Sequence, residues 1–411
     1  MKHRLLMVLA RELFPIDGGR EFLLVDLIKR LSPHVEIHLA IFPNKSTPGN
    51  LESLPYTTLG ISSLTILSQP TKLETLGNLI SSIGTIQESL FFKKRNLEEI
   101  QKIISTLEIK CIYFDMIRLF RYAKKLYSRG DVNIIYDLDD LISDRYIYFL
   151  KNNKSLKNPL GSYAKIFNSK VFKFTFRALT KPILSYEAHA AFRRESEVSE
   201  ISKVVLLTSP TEVLSYRERV KQNILVLPNF PIIEKATDII YSSNEKEIIW
   251  IGNNTIPHNS AALDLIIKEI LPRLPEFKLK VAGKLDNDSL NPKYGSNIEF
   301  LGYVDSIKYI YKRGSILIAP FLFGTGIKIK LLEALSYDVA VITNNIGFQG
   351  IPYDKNNLFK PIEDIEEMAR IARRMTTDEF FLSQWITEQQ KTLKNNFSKS
   401  HELKILEVAL S

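Results

Sequence analysis

The chain reads as an α/β protein of two parallel-sheet domains with additional C-terminal helices, and three observations carry that reading. Short apolar, β-branched runs alternate with amphipathic helical stretches in both halves, the pattern of βαβ units around a parallel sheet. At 411 residues the chain exceeds one ordinary core and suits two domains of roughly 200 residues each. Between the halves, Pro228, Asn229 and Pro231 and the polar run Ser242 to Lys246 interrupt the periodicity, which marks a linker.

Taken in order, strands are expected at 4–9, 35–41, 111–114, 133–136, 204–207 and 224–227 in the first half, and at 248–251, 279–282, 298–300, 316–319 and 339–342 in the second. Beyond Glu363 the pattern is wholly helical, and those helices need an apolar surface to cover. The expected organisation is a first domain at 1–230, a linker at 231–246, a second domain at 247–385, and a helix at 386–411 that returns to the first domain.

Composition excludes several classes. A hydrophobic fraction of 45% and a charged fraction of 25% are those of soluble globular proteins, so each half can bury a core. The single cysteine, Cys111, cannot form an intramolecular disulfide and reads as a small buried hydrophobe in a reducing compartment. Six scattered histidines lack zinc-site spacing, so no metal site is expected. The opening apolar run ends at Arg11 and Glu12, too short for a secretory leader, and reads as a buried strand. No run approaches the roughly 18 apolar residues of a membrane span.

A net charge of +9 suits nucleic acid or an anionic membrane. Its distribution favours the membrane: 147–184 holds eight basic residues (Lys151, Lys154, Lys157, Lys165, Lys170, Lys173, Arg177, Lys181), no acidic one, and seven interleaved tyrosines and phenylalanines. A solvated helical face over a buried aromatic stripe fits the same stretch equally well.

The first strand runs into Gly18 and Gly19 ahead of a helix. A glycine pair there lets a ligand approach backbone amides at a helix start; a tight turn capped by Asp17 fits equally. In the second half, a strand ending at Pro320 leads to Gly324, Thr325, Gly326, Ile327, Lys328 and Lys330, with Glu333 in the helix that follows. Two glycines expose amides, two lysines bring positive charge to a diphosphate, and Glu333 can accept both hydroxyls of a ribose. The run Asp137 to Tyr146 sets Asp137 and Asp140 at a strand end, where parallel sheets gather ligands; Asp139 and Asp144 suit turns or caps. Asp115, Arg118, Arg145 and Tyr146 could line the opposite side of the cleft, although strand-end caps or a structural ion pair account for Asp115 and Arg118 as readily. Glu187, His189, Arg193, Arg194 and Glu195 read as a solvated charged face.

These motifs carry a resemblance. Gly324 to Leu335, with Ala340 to Thr343 and Gly347 to Gly350, looks like the donor-site signature of GT-B glycosyltransferases of the family 4 group. Upstream, Trp250, Gly252, Asn253, Pro257 and Asn259, then Gly283, then Gly302 and Val304, match the same domain in the same order. The match is specific over about 247–352 and weaker before it. Two departures stand out: Thr325 replaces the first of two glutamates separated by seven residues, and Asn253 and His258 stand where an arginine and a lysine are common.

The resemblance implies two Rossmann-like domains facing each other across a cleft, and retaining sugar transfer from a nucleoside diphosphate donor to a glycan or lipid-linked acceptor. The setting it implies is the cytoplasmic face of a bacterial membrane, in surface polysaccharide or glycoconjugate synthesis. Gly18, Gly19, Gly252, Asn253, Gly302, Val304 and the stretch from Gly324 to Glu333 would bind the donor, with Asp137, Asp140 and Glu333 the catalytic candidates. No metal, cofactor or nucleic acid is expected; Asp137-Leu138-Asp139 imitates the Asp-x-Asp metal motif of the other large glycosyltransferase fold but is too short to be specific. A GT-B nucleotide-sugar epimerase and a non-catalytic GT-B subunit are the rival readings.

Overall fold

The computed structural model describes residues 3–16, 19–43, 55–81, 84–128, 130, 132–151, 170–220, 225–228, 246–284, 297–304, 306–323, 326–397 and 406–407, apart from the side chains of 55, 57, 170–180, 228 and 257. Gly18, Gly324, Thr325 and nearly all of the expected linker lie outside the described residues, as do most side chains of the basic segment.

The first domain is a seven-stranded parallel sheet in the order β3-β2-β1-β4-β5-β6-β7. Its strands are β1 (Arg4–Leu9), β2 (Glu36–Ile41), β3 (Ser63–Ile66), β4 (Cys111–Asp115), β5 (Asn133–Asp139), β6 (Val204–Leu207) and β7 (Leu225–Pro228). Both faces are buried, so apolar residues run continuously and divide by alternation. Leu6, Val8, Ile112, Phe114, Ile134 and Tyr136 face one core, and Leu5, Met7, Leu9, Cys111, Tyr113 and Ile135 the other. Burial pushes the Cys111 thiol up to about 12, so it stays an inert hydrophobe at neutral pH.

The helices of this domain are α1 (Gly19–Leu31), α2 (Lys72–Ser81), α3 (Ile86–Phe91), α4 (Lys94–Thr106), α5 (Phe120–Tyr127), α6 (Ile142–Lys151), α7 (Lys170–Ile201) and α8 (Pro210–Arg219). Strand β3 was not expected from the sequence. It forms a sheet edge, its four residues are all at least partly exposed, and half of them are hydroxylic, so no apolar run announces it. The charged face on α7 also departs from expectation. Glu187 and Glu195 are buried, accepting from the amides of Ile86 (2.5 Å) and Ser143 (2.9 Å), and Arg194 binds Glu88 at 2.9 Å. Only His189 and Arg193 of that set stay exposed.

The second domain is a five-stranded parallel sheet, β10-β9-β8-β11-β12, made of β8 (Glu247–Ile251), β9 (Lys278–Ala282), β10 (Ile298–Gly302), β11 (Ile316–Ala319) and β12 (Ala340–Thr343). Around it lie α9 (Pro257–Leu265), α10 (Ile329–Ser336), α11 (Ile365–Thr377) and α12 (Glu379–Phe397). Helix α12 runs unbroken across the expected boundary at 385 and packs on this domain through Trp385, Leu393 and Phe397. Its buried Gln389 completes the edge of β12, accepting from the Val341 amide (2.7 Å) and donating to the Val339 carbonyl (2.9 Å). Further on, Leu406 is buried in the first domain's core with Leu5 and Leu9. Among the described residues no helix is long and apolar enough to cross a membrane.

Candidate active site

The carboxyl ends of β1, β4 and β5 converge on Arg20, in the first turn of α1. Its guanidinium binds Asp115 Oδ1 (2.6 Å), Asp137 Oδ2 (3.1 Å) and Asp139 Oδ1 (3.3 Å), and both Asp115 and Asp137 are wholly buried. Tyr113 donates its hydroxyl to Asp137, and the Ala10 amide donates to Asp115 (3.2 Å). Burial alone would raise Asp115, but Arg20 and Arg11 hold its carboxyl below the usual range. Burial wins at Asp137 and pushes it up against the pull of Arg20.

Strand β5 ends in a bulge. Its register with β6 shifts between Asp137 and Asp139, and Asp139 takes a φ of 68°, a left-handed conformation that Asp tolerates better than most residues. The Asp137 carboxylate fixes the bulge by accepting the Asp139 amide at 2.9 Å, while Asp139 accepts the Thr208 hydroxyl at 2.9 Å. Asp140, next along, is buried and paired with Arg145.

In the second domain β11 leads through Pro320 and Phe321 to Gly326 (φ 73°) and the start of α10. Lys328 precedes the helix and donates to the Gly326 carbonyl (2.6 Å). Lys330, in its first turn, donates to Asn259 Oδ1 (2.8 Å), with its ammonium 4.3 Å from the Trp250 ring centre. Glycine at 252 makes this possible, since a Cβ there would sit 2.7 Å from Lys330 Nζ. Burial lowers Lys330 to about 7 and Lys328 to about 8, with Lys328 the next cause for Lys330 and Arg145 for Lys328. Burial raises Glu333, one turn on, to about 7 against the pull of Lys330. His258 is lowered to about 4 by burial, then by Lys330. A recess of this kind, lined by two desolvated lysines, suits an anion, whose charge would favour their protonated form.

The two domains meet here. A Cβ on Gly19, the first residue of α1, would lie 3.2 Å from Ile329 Cγ1, the first residue of α10. Gly350 comes as close to Ser209, which caps α8, as 2.8 Å from a built Cβ. Across this contact Lys328 feels Arg145, Glu212 and Asp140 of the first domain. Glu212 accepts the Leu141 amide (3.2 Å), and burial, with Asp140 next, raises it to about 8.

The structure thus gathers Gly19, Gly252, Gly326, Lys328, Lys330, Glu333, Asp140 and Arg145 around one recess. Others of the expected residues are used differently. Asp137 and Asp115 are buried ion-pair partners of Arg20, with no face open to an acceptor, and Arg118 lies over the Phe91 ring (5.4 Å). Tyr146 is buried and accepts from Gln87 (2.7 Å). Asn253 orders its own turn by accepting from Thr255, Gly302 (φ 66°) ends β10, and Val304 and Ile327 pack against the core. Arg20 and Glu212 were not anticipated. Arg20 follows the glycine pair directly, and Glu212 stands three residues after Ser209 in what reads as an ordinary helix cap.

A family model described as glycosyl transferases group 1 matches residues 245–378. The matched stretch, about a third of the chain, is similar to group 1 glycosyltransferase domains. A curated relative, the uncharacterized 44.6 kDa protein in the cps region of Klebsiella pneumoniae, is 23% identical over 316 residues, covering 70% of this chain and 79% of that protein. Among solved structures, Anabaena Alr3699/HepE in complex with UDP and glucose is similar at 12% identity and a TM-score of 0.60, over 98% of this chain and 97% of that one. Sucrose-phosphate synthase from Thermosynechococcus elongatus gives 12% and 0.65, over 100% and 97%. A mutant of S. aureus TarM, in complex with Fondaparinux, alpha-GlcNAc-glycerol and UDP, gives 10% and 0.63, over 100% of both chains. The whole chain has the GT-B fold, two Rossmann-like domains with helices.

Proposed function

We propose that the chain transfers a hexose-type sugar from a nucleoside diphosphate donor to a glycan or lipid-linked glycan, with retention and without a metal, in bacterial surface polysaccharide or glycoconjugate synthesis. The observation that carries this is the pair of buried lysines, Lys328 and Lys330, at the start of α10 opposite the start of α1. Such a site neutralises a departing diphosphate with fixed charges and helix amides. The UDP in the HepE and TarM complexes, the glycans held by TarM, and the cps-region relative support the donor, the acceptor class and the pathway class. Glu333 accepts the ribose hydroxyls; Asp140, with Arg145, is the carboxylate nearest the acceptor side, since Asp137 is committed to Arg20. The cleft between the two domains would align the acceptor hydroxyl and exclude water. Attachment to the inner face of the cell membrane through the basic segment 147–184 belongs to the same reading.

The test is to incubate the chain with nucleotide sugars, with and without candidate glycan acceptors. Nucleoside diphosphate released only with acceptor supports transfer, whereas interconversion of donor sugars without acceptor contradicts it. Glu333→Ala is expected to lose about 1 to 3 kcal/mol of donor binding, read by calorimetry, because a charged hydrogen bond is removed. Donor affinity is also expected to fall as pH rises above about 8. There Glu333, raised only to about 7, is already ionised, and the free lysines at about 7 and 8 must take up protons to meet the diphosphate. Calorimetry in buffers of different ionisation enthalpy should show that uptake, and binding without it would contradict the lysine assignment.

A further inference from the structure

Helix α2 is turned inside out. Ten residues long, it buries none of its side chains, and Leu73 (82% exposed), Leu76 (55%) and Ile80 (80%) project into solvent. Positions i, i+3 and i+7 lie on one helical stripe, so the three form a continuous apolar ridge.

The polar side does the anchoring instead. Asn78 donates to the carbonyls of Phe92 (2.7 Å) and Ser89 (3.2 Å), Glu74 reaches Lys93 at 3.9 Å, and Thr71 and Glu74 close a reciprocal cap at the N-terminus. A surface helix ordinarily presents the reverse arrangement, and a rigid outward apolar ridge marks a contact surface.

Its surroundings indicate the contact. The segment between α2 and α3 is tied to α7 just past its basic part: the Tyr186 hydroxyl donates to the Gly84 carbonyl (2.8 Å), and the Ile86 amide at the start of α3 donates to Glu187. Gly84 follows Ile80 by four residues, and Tyr186 follows by two the end of the stretch that holds eight basic residues and no acidic one, whose described side chains Lys151 and Lys181 are exposed. Lys72, at the start of α2, is exposed as well. Exposed leucine and isoleucine beside uncompensated positive charge complement an anionic lipid interface.

We propose that α2 is a membrane-insertion element that places Leu73, Leu76 and Ile80 below the headgroups of an anionic bilayer, beyond the electrostatic attachment through 147–184. It lies on the cleft side of the first domain, because α2 follows the carboxyl end of β3 and packs on α3, which packs on the turn after β4. Insertion there would present the acceptor side of the cleft to lipid-linked substrates, a consequence that rests on the transferase reading; insertion itself does not.

The test uses the full chain and vesicles of phosphatidylcholine with or without phosphatidylglycerol. Trp250 and Trp385 are buried, so an Ile80→Trp variant adds an exposed reporter. Its emission should shift to the blue with anionic vesicles and be quenched by brominated lipids. The triple variant Leu73→Ser, Leu76→Ser, Ile80→Ser should partition at least about tenfold more weakly, with nucleotide binding unchanged. Unquenched Ile80→Trp, or a triple variant that sediments with vesicles like the parent, overturns the proposal. So does a parent chain that dimerises without lipid while the triple variant stays monomeric, which would make a second copy the occupant.

Discussion

Replacing Arg20 with alanine is expected to cost about 3 to 5 kcal/mol of folding stability, because it strands buried carboxylates without their counter-charge. Asp115 and Asp137 are wholly buried, and the same guanidinium serves both together with Asp139. Lysine cannot replace it, because one ammonium cannot spread its donors over three carboxylates from three directions. The pH dependence gives the sign. In the parent, Asp115 titrates below its unfolded value, so its stabilisation is present at neutral pH and lost as pH falls through the folded pKa. In the variant, burial without Arg20 raises Asp115, so acid relieves the strain. The stability gap between parent and Arg20→Ala, measured by urea denaturation, should therefore narrow from pH 7 to pH 5. A gap under about 1 kcal/mol at pH 7 would contradict this account of the carboxylate cluster.

Lys330→Ala is expected to lower kcat/KM by about 100- to 1000-fold, the usual loss when one preorganised stabiliser of a developing charge is removed. Asn259 at 2.8 Å and the Trp250 ring fix the position of the Lys330 amino group before any ligand arrives, so little movement is needed when the diphosphate departs. Lys328→Ala should also be costly, and both should exceed Asp139→Ala, whose carboxylate holds Thr208 and Arg20 within the bulge. We propose on the same grounds that turnover survives a chelator, since fixed lysines occupy the role a bridging cation would play. Activity abolished by chelation and restored by magnesium or manganese would contradict the lysine-based mechanism.

Alternation of apolar strands with amphipathic helices was enough to read most of both sheets from the residues, because strands buried on both faces must be continuously apolar. Strand β3 escaped that logic as a short edge. The recess at the start of α10 was legible because its parts are close in sequence: Gly326, Lys328, Lys330 and Glu333 fall within eight positions. Of the opposite wall, Asp140 and Arg145 were legible, but the cluster around Arg20 was not. Asp115, Asp137 and Arg20 come from three separate elements, and nothing local to Asp137 announces that an arginine 117 positions earlier will claim it. Glu212 likewise gains its place only through the fold, when α8 brings it under Asp140 and toward Lys328.

The most direct test of the central claim is calorimetric titration of the chain with a panel of nucleoside diphosphates, repeated on Lys330→Ala. If the recess at the start of α10 holds the donor diphosphate, one nucleotide should bind the parent with proton uptake near pH 8, and the variant should bind it at least about tenfold more weakly. Equal affinity in parent and variant, or a folded parent that binds none of the panel, would contradict it.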